Sequence, residues 1–282
     1  MPRSVPFDHS SSQKRYLQPS VFWSIRQGIP SWLQVLMPVI GLGAPLLLWT
    51  ILSYSGLTTP LFLPSPLSVL ESGWELLTQN DLFVDILAST GRVMAGFIAA
   101  TLVGVPIGIA MGTFHTMEGL FMPIVGTVRY MPVAAFVPLI IIWVGLGEDA
   151  KVVIIFLGVV LYNIIMVADA VKFIPDELLN VAYTLGANRK QVLLKVILPA
   201  TLPSILDTLR VNIAGAWNFL VLAELLAAQS GLGFRIIKFQ RNFDTKSVLF
   251  CILIIGAIGL ITDYILKWIS ITATPWAEHS KT

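Results

Sequence analysis

Six times along the chain, apolar residues run on for long enough to cross a lipid bilayer. A helix needs roughly 20 such residues, at about 1.5 Å rise each, to span the hydrocarbon core. The stretches lie near residues 34–55, 88–113, 119–145, 151–172, 208–229 and 248–270. Inside lipid the backbone has no water to bond to, so each stretch is expected to be helical. The fold class is therefore an all-α membrane protein with about six transmembrane helices. Composition agrees: 56% of residues are hydrophobic and 12% are charged, about half the charged share of a soluble domain.

The spans carry Gly104, Pro106, Gly108, Pro123, Pro132 and Pro138, residue types that membrane helices tolerate better than soluble ones. Gly104, Gly108 and Gly112 repeat every four residues and share a face suited to close helix packing. The formal net charge of +2 and the lack of a basic run give no footprint for nucleic acid. Cys251 is the only cysteine, and His9, His115 and His279 are far apart, so no metal site is expected. More than thirty residues precede the first span and no small-residue cleavage site follows it cleanly, so it is read as an uncleaved anchor. Val21–Leu36 mixes Trp, Phe and Ile with Arg26. It reads either as an interfacial segment or as a loosely ordered tail.

Positive charge sets the orientation. Arg3, Lys14, Arg15 and Arg26 precede the first span, and Lys172, Arg189, Lys190 and Lys195 follow the fourth. The loop after the first span holds Glu71, Glu75, Asp81 and Asp85 and no Lys or Arg. Both termini and the 173–207 loop are expected in the cytoplasm. Arg235, Lys238, Arg241 and Lys246 disagree, since this topology places them outside.

Asp176–Leu206 is amphipathic and does not span. Leu178, Val181, Leu185, Val192, Val196 and Leu198 fall at near-helical spacing, Gly186 interrupts them, and Pro199 and Pro203 are expected to end the run. A short helix, a glycine turn and a second short helix make a unit that can lay an apolar face into a partner's groove.

This segment resembles the coupling loop of ABC-importer permeases, which reads EAA, three residues, Gly, nine residues, I-x-L-P. The matching residues are Asn180, Val181 and Ala182, then Gly186 and Ala187, then Val196, Ile197, Leu198 and Pro199. Asn180 replaces the usual Glu and Val196 the Ile. Further pieces resemble the nitrate/sulfonate/taurine/bicarbonate group: residues 60–66, Gly91-Arg92-Val93, residues 104–108, Arg129-Tyr130-Met131-Pro132 through Glu148, Ala223-Glu224, Ser230-Gly231-Leu232-Gly233 and Thr274-Pro275-Trp276. The resemblance covers roughly residues 56–276, and Arg129–Trp143 is nearer to the sulfonate/taurine members.

The resemblance implies the type I ABC-importer permease fold in a bacterial inner membrane, as a multi-pass chain with both termini cytoplasmic. Its domain plan is a cytoplasmic tail with an interfacial segment (1–33), a first transmembrane helix and extracytoplasmic connection (34–87), a permease core with the coupling loop 176–206 (88–272), and a cytoplasmic tail (273–282). It implies import of a small anion, driven by separate ABC ATPase subunits that bind ATP and Mg, with an extracytoplasmic substrate-binding protein, a second permease chain as homodimer partner, and membrane lipid around them. The chain itself is expected to be no enzyme and to hold no cofactor. It contains no Gly-Lys pair and so no P-loop.

Charged groups within spans are functional candidates. Arg92, Arg129 and Glu224 are therefore weighed for the translocation path, together with Tyr130, Met131, Asn163, Asn212, Trp217 and Asn218. The alternative for Arg92 and Glu224 is a pair that locks two helices, and for Arg129 a cap on backbone carbonyls. A competing reading is an ion-coupled secondary transporter, which needs carboxylates near the midplane and often inverted repeats. Asp169 and Glu224 are the acids weighed for that role, and no repeat is found.

Overall fold

The computed structural model describes residues 30–79, 82–227 and 229–277. The N-terminal tail with most of the Val21–Leu36 segment, and the last five residues, lie outside the described residues. The chain divides into two units, 1–57 and 58–282. The first holds α1 (Ser31–Tyr54), which contains Pro38 and Pro45 and is long and apolar enough to cross a membrane.

The second unit is a helical bundle: α2 (Pro66–Gln79), α3 (Leu82–Thr113), α4 (His115–Val128), α5 (Val133–Val144), α6 (Glu148–Lys172), α7 (Asp176–Thr184), α8 (Arg189–Val192), α9 (Leu198–Ala227), α10 (Leu232–Arg241) and α11 (Thr245–Ala273). Among the described residues, five helices have the length and apolarity of spans, or six if α4 and α5 together count as one. α3, α6 and α9 form the centre. Phe97, Ile155, Val159, Ile164, Ile213 and Leu220 are buried between them.

Glycine explains how closely α3 and α6 approach. A Cβ on Gly104 would lie 2.7 Å from the Asn163 Cβ, one on Gly108 2.7 Å from the Ile164 carbonyl oxygen, and one on Gly112 2.5 Å from the Val171 Cβ. Gly96, which the four-residue spacing had not included, does the same against Ile155. Without side chains at these points the two backbones touch, which is how membrane helices gain dispersion energy where lipid offers no hydrophobic drive. Gly104→Ala is expected to cost about 1–3 kcal/mol by overpacking, read as a lower Tm of the purified protein. Gly126→Ala on α4, where a Cβ meets nothing within 4 Å, should be neutral or slightly stabilising.

Two expectations need correction. The third span is not one helix: α4 and α5 meet at 99° across Arg129–Pro132. Pro132 has no amide hydrogen to continue α4, and it disfavours helical backbone at the residue before it. Pro199 and Pro203, in contrast, stop nothing. A π turn at Leu193–Ile197 runs straight into α9. There Leu198 donates its amide to the carbonyl five residues back, that of Leu193. The widened turn relieves the clash a proline ring makes with the carbonyl four before it. The fifth span thus begins about ten residues earlier than residue 208.

Candidate coupling unit and translocation path

The segment after α6 folds as a hairpin of short helices. Gly186 sits at φ +83°, a backbone region that side chains strongly disfavour and glycine enters freely. This lets the chain reverse between α7 and α8. Asn188 then caps α8: its side chain accepts from the Gln191 amide at 2.9 Å, and Gln191 Oε1 accepts from the Asn188 amide at 2.8 Å. This reciprocal cap has its signal in the sequence Asn188-Arg189-Lys190-Gln191.

The hairpin has two apolar sides. Leu179, Ala182, Ala187 and Leu193 pack inward on Val171 at the foot of α6 and on Val192 and Ile197 before α9. Leu178, Val181 and Leu185 point outward, with Val181 57% and Leu185 83% exposed. Asn180 is also exposed, whereas Leu198 and Pro199 begin α9 and are partly covered. The seven residues singled out for coupling therefore divide. Asn180 and Val181 lie on the outer face, Ala182 and Ala187 underpin it, Gly186 makes the turn, and Leu198 and Pro199 carry it into the membrane helix.

A charge cluster joins the other elements. Because α3 starts at Leu82, Arg92 lies ten residues, roughly 15 Å, inside it. Arg92 is 4% exposed and Glu224 on α9 1% exposed. Arg92 Nη1 donates to Glu224 Oε1 at 2.6 Å and to the Ser230 carbonyl at 2.8 Å. Its Nε and Nη2 grip Glu148, at the start of α6, at 2.5 and 2.8 Å. Lys151 adds a 2.6 Å bond to Glu148. Glu224 further accepts from Ser89 Oγ and the Gly233 amide, both at 2.7 Å. Asp85 accepts from the Gly231 amide and pairs with Arg235. Gly231 stands at φ +113°, where a Cβ would lie 2.3 Å from Glu224 Oε1. The Ser230–Gly233 motif is thus a backbone loop pressed onto two buried charges. The locking pair between Arg92 and Glu224 is present, and Glu148 is a third member that spacing along the chain did not reveal.

Arg129 lies at the α4–α5 break with Tyr130 and Met131. All three are exposed on the single chain. Arg129 does not cap carbonyls: its Nη2 donates to the Tyr130 hydroxyl at 2.9 Å, and the guanidinium stands 4.8 Å from that ring's centre. The polar candidates on α6 and α9 divide as well. Asn212 Nδ2 donates to Asn163 Oδ1 at 2.7 Å. Asn212 and Asn218 line a cleft of about 280 Å³ with Gly158, Tyr162, Gly215 and Phe219. Trp217 faces away, its indole donating to Thr262 of α11 at 3.2 Å, so it does not line this cleft. Asp263, an acid within a span that was not weighed, holds Arg210 in a two-point grip at 3.0 and 3.1 Å.

The shared pattern of the binding-protein-dependent transport system inner membrane component family matches residues 104–271. The chain belongs to this family. It is 36% identical over 248 residues to the taurine transport system permease protein TauC of Escherichia coli strain K12, spanning 86% of this chain and 90% of that one. It is 31% identical over 259 residues to the bicarbonate transport system permease protein CmpB of Synechococcus elongatus, spanning 86% and 92%. A solved structure of the MetNI methionine ABC transporter in an inward-facing conformation shares the fold, with a TM-score of 0.57 at 18% identity over 69% of this chain and 94% of that one. This chain is a multi-pass membrane permease subunit of an ABC importer, with the type I permease fold.

Proposed function

We propose that this permease imports a small sulfonate-type anion, taurine before bicarbonate or nitrate, and that separate ATPase subunits drive it through the α7–α8 hairpin. The observation that carries the coupling is the two-sided hairpin. Its inner side is committed to the foot of α6, while Val181 and Leu185 remain uncovered. An apolar helix face of this kind suits the groove of a soluble partner. The greater likeness to the taurine permease than to the bicarbonate permease favours taurine.

In this reading the ATPases bind ATP and Mg, and the permease makes no bonds. Its hairpin passes their closure to α6 and α9, to which it is continuous in chain. A second copy completes the path, a binding protein delivers the anion from outside, and lipid surrounds the spans. Both termini and the hairpin are cytoplasmic by the positive-inside rule. The domain plan follows, with the core 88–272 between a first anchor and a short tail. Asn212, Asn218 and Tyr162 line the anion's route, and Arg92 and Glu224 hold its walls.

The test is purification of the tagged permease from the cells that make it. It is expected to bring a P-loop ATPase in equal amount, and taurine uptake by the reconstituted complex should require ATP. Uptake by the permease alone, driven by an ion gradient, would establish the secondary-transporter reading instead.

A further inference from the structure

Three cations among the described residues lie more than two helical turns from either end of a spanning helix or of the α4–α5 pair: Arg92, Arg129 and Arg210. A charge at this depth is costly and normally pairs or faces a watery cavity. Arg92 is paired with Glu148 and Glu224, and Arg210 with Asp207 and Asp263. Among the described residues Arg129 has no ion-pair partner. Its partner is the neutral Tyr130, through a hydroxyl at 2.9 Å and the ring face at 4.8 Å. Those contacts steady the guanidinium and leave donors unspent, since the group has five N–H bonds to give.

Its position is equally distinctive. Arg129 directly follows the 14 residues of α4, and the 12 residues of α5 begin four positions later. The two limbs, about 21 and 18 Å long, place the cation midway along a bent pair of apolar helices, the form of a broken span or a re-entrant loop. In transporters, broken spans are where irregular backbone is tolerated, because it lines a cavity and not lipid. An uncompensated guanidinium at such a break has the chemistry to take an oxyanion head group in forked hydrogen bonds.

We propose that Arg129, steadied by Tyr130, is the charge-selecting residue of the path, pairing with the acid group of the anion as it passes the α4–α5 break. The proposal rests on the reading of the chain as an anion permease. It makes Arg92 and Arg210 structural cations and Arg129 the one whose counter-ion is the cargo.

The test uses the reconstituted complex of permease, ATPase and binding protein, with radiolabelled taurine as probe. Arg129→Gln keeps a polar side chain of similar reach and removes the charge. It is expected to lower ATP-dependent uptake roughly tenfold or more, the loss of one charge-assisted hydrogen bond. Arg129→Lys should recover part of the rate, because it restores the charge without the fork. Tyr130→Phe, which keeps the ring and removes the hydroxyl, should fall between wild type and Arg129→Gln. Copurification of the ATPase reports assembly in each variant. Wild-type uptake by Arg129→Gln overturns the proposal. So does a loss of assembly in Arg129→Gln that Arg129→Lys fails to repair, since that places Arg129 in packing. Uptake by wild type that needs no ATP overturns the importer reading itself and is a separate result.

Discussion

Replacing Glu224 by alanine is expected to be the most damaging single change to the stability of this permease. The carboxylate is buried and fully committed, to Arg92, Ser89 and the Gly233 amide. Removing one member of a buried ion pair leaves the other without its charge partner, at a cost of about 3–5 kcal/mol. Arg92 would keep Glu148, but the Glu148 side chain is 61% exposed, and the carboxylate on the sealed side would be gone. The purified protein should lose roughly 6 °C or more in Tm, with a matching fall in membrane yield. Arg92→Met should be similarly harmful. The double variant Arg92→Met with Glu224→Leu should be milder than the two single effects added, because no charge is then left buried alone. An unchanged Tm for Glu224→Ala would sink this account of the cluster.

The same cluster shows why some features were legible in the sequence and others were not. Span count depends on length and apolarity, both local, so five of the six stretches reappear as continuous helices, four of them within several residues of their expected bounds and the fifth starting about ten residues early. The Gly104, Gly108 and Gly112 face was legible because helical periodicity is local too. Glu148 was not, because its contact with Arg92 crosses 56 residues and depends on α3 and α6 being drawn together by those glycines. The basic residues Arg235, Lys238, Arg241 and Lys246 stood out as an outer group that disagrees with the charge rule. Arg235 in fact pairs with Asp85, 150 residues away, while Lys238, Arg241 and Lys246 are exposed. Proline misled in both directions. Pro132 marks a 99° bend, whereas Pro203 lies inside the continuous helix α9; the π turn just before α9 accommodates the Pro199 ring, and sequence does not announce that turn. Arg129 was singled out as a charge within a span, and Tyr130 as its neighbour beside Pro132. The absence of a carboxylate partner among the described residues, which sets Arg129 apart from Arg92 and Arg210, required the whole set of contacts.

The α7–α8 hairpin carries the second large effect. If the outer face docks on an ATPase, Val181→Glu combined with Leu185→Glu should abolish copurification of the ATPase and ATP-dependent uptake together. Two apolar side chains that lose a buried docking site forfeit about 3 kcal/mol or more between them. Two carboxylates forced into an apolar groove add a desolvation cost. Either contribution lowers affinity a hundredfold or so. The permease's own Tm should barely move, because neither residue contributes to the packing beneath the hairpin: Val181 and Leu185 are exposed, and that packing comes from Leu179, Ala182 and Ala187. Leu179→Ala is the informative opposite. It opens a void under the hairpin, so it should lower Tm while the outer apolar face keeps its chemistry, and ATPase binding should weaken far less than in the double variant. If the double variant kept its ATPase and its uptake, Val181 and Leu185 would not be the contact, and force would have to enter the membrane helices through some other part of the chain.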